Sequence, residues 1–597
     1  MLRKSKIIIS IIIVLVFLFN ISFSMTNAMD LSKASNKISK ELSAKMDELT
    51  DDDLISVIVW FEDIDTDSVN AKAEKNLGYS QADIEAVEAG IPNIDESVFS
   101  LEGAAYTNAI KNYELATDKE RTIVSDMQND LTIARRQLAK EAYLQHNMNN
   151  KLSLDIAPEC VDYISRFSPM VLLTVTKTQI SELIKKDNVV SVNYCNDSEP
   201  IETLTYALPA VKADYTRDTL GLDGSGVNVG MFELGVVGTH TELNSDNITI
   251  IDSSTATVSD HATFVATIMV GSNGVVPNAN LVSGSLSTND FFGGVEDLIE
   301  AGVSVINMSF GSVRESTDNY YWAWKQWLDH VAFTHKISVV VAAGNGGVNH
   351  IVNSPGLAYN VITVGGTDPQ NTTSLNDDTL YYGSCSLNGG TVGCAKPDFL
   401  APARVNNVYG TSCSAPIVTG IIAQMIDYKP SISTKPELIK AILTVSTDKK
   451  VLPGTTGTTE TWETTITAQQ GAGQINAKRA LSTLSNGKYS TGSIASGTIS
   501  KTFSVTSSDK WIRCSVAWIR SNSALGDHTS SSVLVAPAPN LRLHIYNPSG
   551  TIVGSSNITT SSVELVHFTV ATTGTYTAKV TRMDSYTDNF RYAIAWH

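Results

Sequence analysis

A chain of 597 residues, 42% of them hydrophobic, with ordinary glycine and proline counts, is long enough for three or four domains with buried cores. A formal charge of −18 excludes nucleic acid as an expected partner, because phosphate binding needs a basic surface. No two of the six cysteines sit at zinc-knuckle spacing.

The chain opens with Arg3, Lys4 and Lys6, an apolar run from Ile7 to Phe19, and the small residues Ser22, Ser24 and Ala28. This is the layout of a secretory signal peptide over residues 1–28, and it predicts a secreted protein with no stable membrane anchor once the leader is removed. The apolar run is short for a span of roughly 20 residues. Residues 29–200 read as a separate α/β unit. Strands are expected at Leu54–Phe61, Met170–Val175 and Val189–Tyr194, and a short helix at Thr178–Lys186. Between them a helical stretch, strongest over Tyr106–Met148, reads as an inserted hairpin.

Residues 201–484 read as one domain: 201–225 are a linker and lead-in, and from Val227 to about Leu484 strands and helices alternate, the pattern of a parallel sheet with helices on both faces. Strands are predicted at Val227–Phe232, Leu281–Ser285, Val303–Met308, Ser338–Ala342 and Val361–Gly365. Helices are predicted at His261–Val270, Phe291–Ala301, Tyr320–His335, Ser412–Tyr428 and Lys435–Val445. After Ser485, Ser and Thr become frequent and short alternating runs replace helical stripes: Thr498–Val505, Trp511–Trp518, Leu541–Tyr546, Ser562–Val570 and Thr575–Thr581. Residues 485–597 therefore read as an antiparallel β-sandwich or jelly roll. Cys385 and Cys394 flank a Gly-rich turn and could close a short disulfide loop outside the cell; Cys160 with Cys195 is a weaker pair, and unpaired buried thiols are the alternative.

Four stretches carry candidate chemistry. Val227-Asn-Val-Gly-Met-Phe-Glu-Leu-Gly235 ends a buried strand in a carboxylate. Asp260-His-Ala-Thr-Phe-Val-Ala266 opens an apolar helix with a His. Val339-Val-Val-Ala-Ala-Gly-Asn-Gly346 delivers an Asn onto a Gly-rich loop. Gly410-Thr-Ser-Cys-Ser-Ala-Pro416 puts a Ser at a glycine turn before an apolar helix. A Ser before a helix is usually only a cap, and an Asn in a Gly-rich loop only a turn residue. It is the ordered set that distinguishes them.

The order carboxylate, His, Asn, Ser resembles the subtilisin-like serine peptidases, the subtilases, over residues 222–445. Lesser landmarks agree: Gly274–Leu281, Val305-Ile-Asn-Met-Ser-Phe-Gly311 and Lys396-Pro-Asp-Phe-Leu-Ala-Pro402. The resemblance implies a subtilisin-like α/β catalytic domain that hydrolyses peptide bonds of protein or peptide substrates. Ser412 would be the nucleophile, His261 its general base, and Glu233 the carboxylate that orients the His. Asn345 and the Ser412 backbone N–H would form the oxyanion hole. Ser309, Phe310 and Gly311 on one side, and Ala342, Ala343 and Gly344 on the other, would bind substrate backbone. The N-terminal unit resembles an elaborated propeptide, a partner of the catalytic domain in a zymogen, with the junction between Cys195 and Leu208.

The chain also departs from the family. Glu233 stands where Asp is usual, Leu234 where Thr or Ser is usual, Glu242 again replaces Asp, and Ala262 and Phe264 replace Gly and His. The usual calcium loop after the His helix is expected to be missing, because Ile268-Met-Val-Gly-Ser-Asn-Gly-Val275 runs straight into the next motif. No cofactor is expected. Two functional expectations follow: a secreted serine endopeptidase with a Glu-containing triad, or a catalytically weakened binding or regulatory protein on the same fold.

Overall fold

A computed structural model describes residues 37–38, 40–51, 53–92, 103–194, 208–251, 257–286, 291–311, 323–347, 350–369, 378–386, 395–405, 408–448, 466–467, 469–506, 511–520, 540–559, 561–584 and 589–597. The expected leader, Cys195, Cys394 and nearly all of the expected junction lie outside these residues. Cys160 and Cys385 are free thiols among the described residues, and the suggested pairings with Cys195 and Cys394 fall on residues outside them. Among the described residues no helix is long and apolar enough to cross a membrane.

The N-terminal unit is a four-stranded antiparallel sheet of β1 (Leu54–Phe61), β2 (Val161–Ile164), β3 (Met170–Thr176) and β4 (Val189–Tyr194), in the order β2-β3-β1-β4. The hydrophobic run of β1 is central, because both its edges are paired and one face is covered by Leu42, Leu183 and their neighbours. The expected hairpin is larger in the structure: helices Thr66–Leu77, Gln81–Ala89 and Gly103–Ser153. The last has 51 residues and runs for about 76 Å at 1.5 Å per residue.

The central sheet follows: β5 (Asn228–Glu233), β6 (Ile248–Ile250), β7 (Asn280–Ser285), β8 (Val305–Met308), β9 (Ser338–Ala342), β10 (Ile362–Asp368), β11 (Thr379–Leu380) and β12 (Phe399–Pro402). Six strands lie parallel in the order β6-β7-β5-β8-β9-β10; β12 pairs parallel with β10, and only β11 is antiparallel. Strands buried on both faces must be apolar throughout, and Ser338-Val-Val-Val-Ala342 is buried at every position. The chain builds β6 and β7 on one side of β5, then crosses to β8 and β9 on the other. Such a switch leaves a crevice beyond the carboxyl ends of the strands. The α/β class is as the sequence predicts.

The C-terminal residues form two four-stranded antiparallel sheets that enclose Phe503, Trp518, Tyr576 and Phe590. One sheet packs on helix Pro436–Ser446: Ser515 Oγ donates to the Ala441 carbonyl at 2.8 Å, and Lys440 Nζ to Ser562 Oγ at 2.8 Å. Lys440 and Lys396 both pair with the buried Asp398, at 2.7 and 2.6 Å. Burial alone would raise that carboxyl, but the two ammonium groups hold it below its ordinary range.

The N-terminal unit holds the central unit at two separate places. Its strands meet helix Phe291–Glu300, where the buried Glu296 accepts from Tyr163 Oη, Ser165 Oγ and the Arg166 backbone. Arg136 caps the same helix end, donating to the carbonyls of Ile299 and Val303 at 3.1 and 2.8 Å. Further away, the helical arm reaches the far end of helix Thr411–Tyr428: Arg121 donates to the Asp427 carbonyl at 2.5 Å, and Glu88 pairs with Lys429 at 2.6 Å. An 18-residue helix separates this second hold from its first turn by roughly 25 Å.

His335 senses the first hold. It lies against the carbonyl of Phe167, 2.8 Å from Nε2, and burial, then the neighbouring His330, push it down to about 3. The unfolded chain takes up a proton near pH 6.5 and the folded chain does not, so stability falls as pH falls through this window. The expected slope is about 1.4 kcal/mol per pH unit from this one residue between pH 6.5 and 3. Denaturant unfolding of the full chain should show the His335→Phe variant losing less stability on acidification than wild type by that margin.

Candidate functional site

The crevice at the carboxyl edge of the sheet brings together all four segments singled out from sequence. Glu233 is the last residue of β5 and is fully buried. Burying a carboxylate is tolerable only when its oxygens have partners. Oε1 accepts the Ser309 backbone N–H at 2.6 Å and lies 3.3 Å from Asn307 Nδ2. Oε2 lies 3.3 Å from His261 Nδ1. Ser309 follows β8, the neighbour of β5, so the parallel register itself presents this amide to the end of β5.

His261 occupies the first turn of helix Asp260–Val270, whose N-terminus is fixed by Ser259 accepting the Ala262 N–H at 3.2 Å. Asp260, the carboxylate next to His261 in the chain, is exposed on that first turn. Leu234 packs into the aromatic core around Phe232 and Phe291, and Phe264 against the apolar core, so these departures fill space.

Ser412 is buried in the first turn of helix Thr411–Tyr428. Its hydroxyl donates to the Ser309 carbonyl at 3.0 Å. A hydroxyl has one proton, so in this state that proton faces Ser309. The Ser412 carbonyl would ordinarily accept the N–H four residues on, but that residue is Pro416, which has none. Ser309 Oγ supplies the missing donor at 3.0 Å.

Asn345 sits just beyond β9. Its Oδ1 accepts from the Thr411 N–H at 2.9 Å and lies 3.2 Å from Thr411 Oγ1. This network fixes which end of the amide is oxygen and leaves Nδ2 pointing the other way.

The segments expected to bind substrate flank this group. Phe310 is buried among Phe232 and Phe291, so its side chain serves the core. Much of the neighbouring backbone is internally engaged: the Ala343 N–H donates to Val364, the Asn353 N–H to the Ala343 carbonyl, and the Gly344 N–H to Thr411 Oγ1. Ala342 closes β9 inside the sheet. Gly344 has φ +103°, and a Cβ there would lie 2.4 Å from Asn353 Cγ, so only glycine fits. At Gly311 a Cβ would lie 2.8 Å from Asn353 Cβ. Asn353 thus packs against both segments. It, Asn307, Thr411 and Thr419 are buried supports of the site that reading the sequence missed. Asn307 carried a signal: an amide inside an otherwise apolar buried strand.

Among the described residues no group of three or more His, Cys, Asp or Glu is arranged to hold a metal ion. Helix Asp260–Val270 is joined to β7 by residues 271–279.

Comparison with known proteins gives the site its context. Residues 224–473 match the family model described as Subtilase family. The chain is 28% identical over 367 residues to serine protease AprX of Bacillus subtilis, covering 51% of this chain and 78% of that protein. It is 29% identical over 251 residues to subtilisin DY of Bacillus licheniformis, covering 39% and 88% respectively. The crystal structure of fervidolysin from Fervidobacterium pennivorans aligns over 89% of this chain and 70% of its own at 14% identity, with a TM-score of 0.41.

Glu233 spans from Ser309 N to His261 Nδ1. An Asp in its place is shorter by one methylene, about 1.5 Å, and cannot keep both partners. Glu233→Asp is therefore expected to lower the rate of reaction with a serine-directed phosphonate probe by roughly 100-fold, since ~1 Å of misplacement costs that much. A rate equal to or above wild type would show that the methylene is not needed.

Proposed function

We propose, from the premise that the chain belongs to the subtilase family through residues 224–473 and is a serine-type endopeptidase, that it cuts peptide bonds with a Glu233–His261–Ser412 triad. The observation that carries this reading is the shared carboxylate: one oxygen is fixed by Ser309 N–H at 2.6 Å, and the other faces His261 Nδ1 at 3.3 Å. A carboxylate so held can keep the Nδ1 proton in place and stabilise the imidazolium, which is the task Asp performs in the usual triad.

In this reading substrate entry turns the Ser412 hydroxyl away from the Ser309 carbonyl toward His261 Nε2. His261 takes the proton as Ser412 Oγ attacks the scissile carbonyl, then gives it to the leaving amine. Negative charge on the carbonyl oxygen is met by Asn345 Nδ2 and the Ser412 N–H, the latter at a helix N-terminus. The Thr411 contacts to Asn345 Oδ1 support that orientation. Ser309–Gly311 and Ala342–Gly344 would frame the bound peptide.

We further propose that the protein is secreted through the leader at 1–28 and made as a zymogen whose N-terminal unit is the propeptide. The docking of that unit on and just beyond helix Phe291–Glu300 supports this. The C-terminal sandwich is assigned a stabilising role, in keeping with its buried contacts to helix Pro436–Ser446.

Intact-mass measurement of secreted protein tests the reading. Wild type should lose its N-terminal unit at 195–208 and react with a serine-directed phosphonate, while Ser412→Ala should stay full length and unlabelled. Asn345→Ala should cost about 10²–10³ in turnover with little change in KM. Equal processing of wild type and Ser412→Ala, or no labelling of processed wild type, would overturn it.

A further inference from the structure

Beneath the triad lies a buried amide that the proposed reaction does not yet use. Asn307, in β8, is fully buried, and its side chain is saturated. Nδ2 offers two N–H groups. One faces Glu233 Oε1 at 3.3 Å, and the other donates to Ser309 Oγ at 3.0 Å. Its Oδ1 lies 3.1 Å from Thr419 Oγ1, whose single proton is shared between this oxygen and the Ala415 carbonyl at 2.9 Å. Thr419 stands seven residues after Ser412, two turns along the same helix. Ser309 Oγ in turn supplies the donor that Pro416 denies to the Ser412 carbonyl.

The chain of contacts is therefore closed. It runs from the Glu233 carboxylate through Asn307 to Ser309 Oγ and the Ser412 backbone, and from Asn307 through Thr419 back to the nucleophile helix. A buried polar network fixes one geometry where its members are satisfied, and here the atom left without a hydrogen bond is Glu233 Oε2, which faces His261 Nδ1 at 3.3 Å. A core that needed only volume at position 307 would accept Leu at little cost.

We propose that Asn307, locked by Thr419, is a positioning residue for proton transfer: it sets the Glu233 carboxylate against the nucleophile helix, and so sets the height at which Oε2 meets His261. The longer Glu gives this arrangement its reach. Asn307 touches no substrate atom and acts only through Glu233 and Ser309. The proposal rests on the Glu233–His261–Ser412 reading.

The test is the second-order rate of labelling by a serine-directed fluorophosphonate, measured against pH on the processed protein. Asn307→Leu should lower the plateau rate by 10- to 100-fold. It should also move the acidic limb to higher pH, because Glu233, short of one donor, presents more uncompensated charge to Nδ1. In a Glu233→Gln background the same substitution should change the rate less than about threefold, the non-additivity expected of residues that act as a unit. Thr419→Ser keeps the hydroxyl and should stay within about threefold of wild type, while Thr419→Val should follow Asn307→Leu. The Thr419 pair decides the matter if Asn307→Leu does not fold.

An unchanged acidic limb, an equal loss in the Glu233→Gln background, or equal rates for Thr419→Ser and Thr419→Val would each overturn the proposal, leaving Asn307 a packing residue. If Glu233→Gln alone labels as fast as wild type, it is the triad reading that fails, and the two failures are thereby separated.

Discussion

A fully buried carboxylate at the end of β5 is the constraint around which the centre of this protein is arranged. Such a group is tolerated only with donors on its oxygens. The parallel sheet provides the first, because β8 lies beside β5 and turns its Ser309 N–H onto Oε1. With that oxygen occupied, the other is left for His261. Leu234 and Phe264 pack into the apolar surroundings that keep water from competing for the pair.

The same constraint reaches the nucleophile. Pro416 leaves the Ser412 carbonyl without its helical donor, and the residue that repairs this, Ser309, is the one whose amide holds Glu233. One residue thus faces both ends of the proposed triad. The flanking units touch none of these groups in the contacts described above. The helical arm grips the far end of the nucleophile helix, and the sandwich grips helix Pro436–Ser446. The arm thereby holds the helix whose near end carries Ser412, which is how remote packing bears on local geometry in a close-packed protein.

Much of this was legible in the sequence where the physical signal was strong. The central strands are continuous apolar runs, and Ser338–Ala342 and Thr498–Val505 fall where their patterns end. Nine strands of the described residues were not predicted, most of them only two to five residues long, and three show why. Ile248–Ile250 has only three residues, Tyr489–Ile494 is mostly Ser, Thr and Gly with Thr491 and Ser493 exposed, and Phe590–Trp596 forms by pairing with strands distant in sequence. In the candidate site, the segments carrying Glu233, His261, Asn345 and Ser412 were readable because each joins a reactive side chain to a turn or helix start. What the extra methylene of Glu233 does was not readable. Its partner Ser309 is 76 residues away, and the contact exists only because of the order in which the strands lie. Asn307 and Thr419 were hidden for the same reason, being 112 residues apart.

The central claim is that Glu233 holds a proton on His261 Nδ1. The most direct measurement is proton NMR of protein labelled with ¹⁵N at histidine, observed in the low-field region where strongly hydrogen-bonded imidazole protons resonate. The account predicts a low-field proton bound to a histidine nitrogen that is present in wild type and absent from both His261→Gln and Glu233→Ala. Its absence from wild type, or its survival in Glu233→Ala, would contradict it.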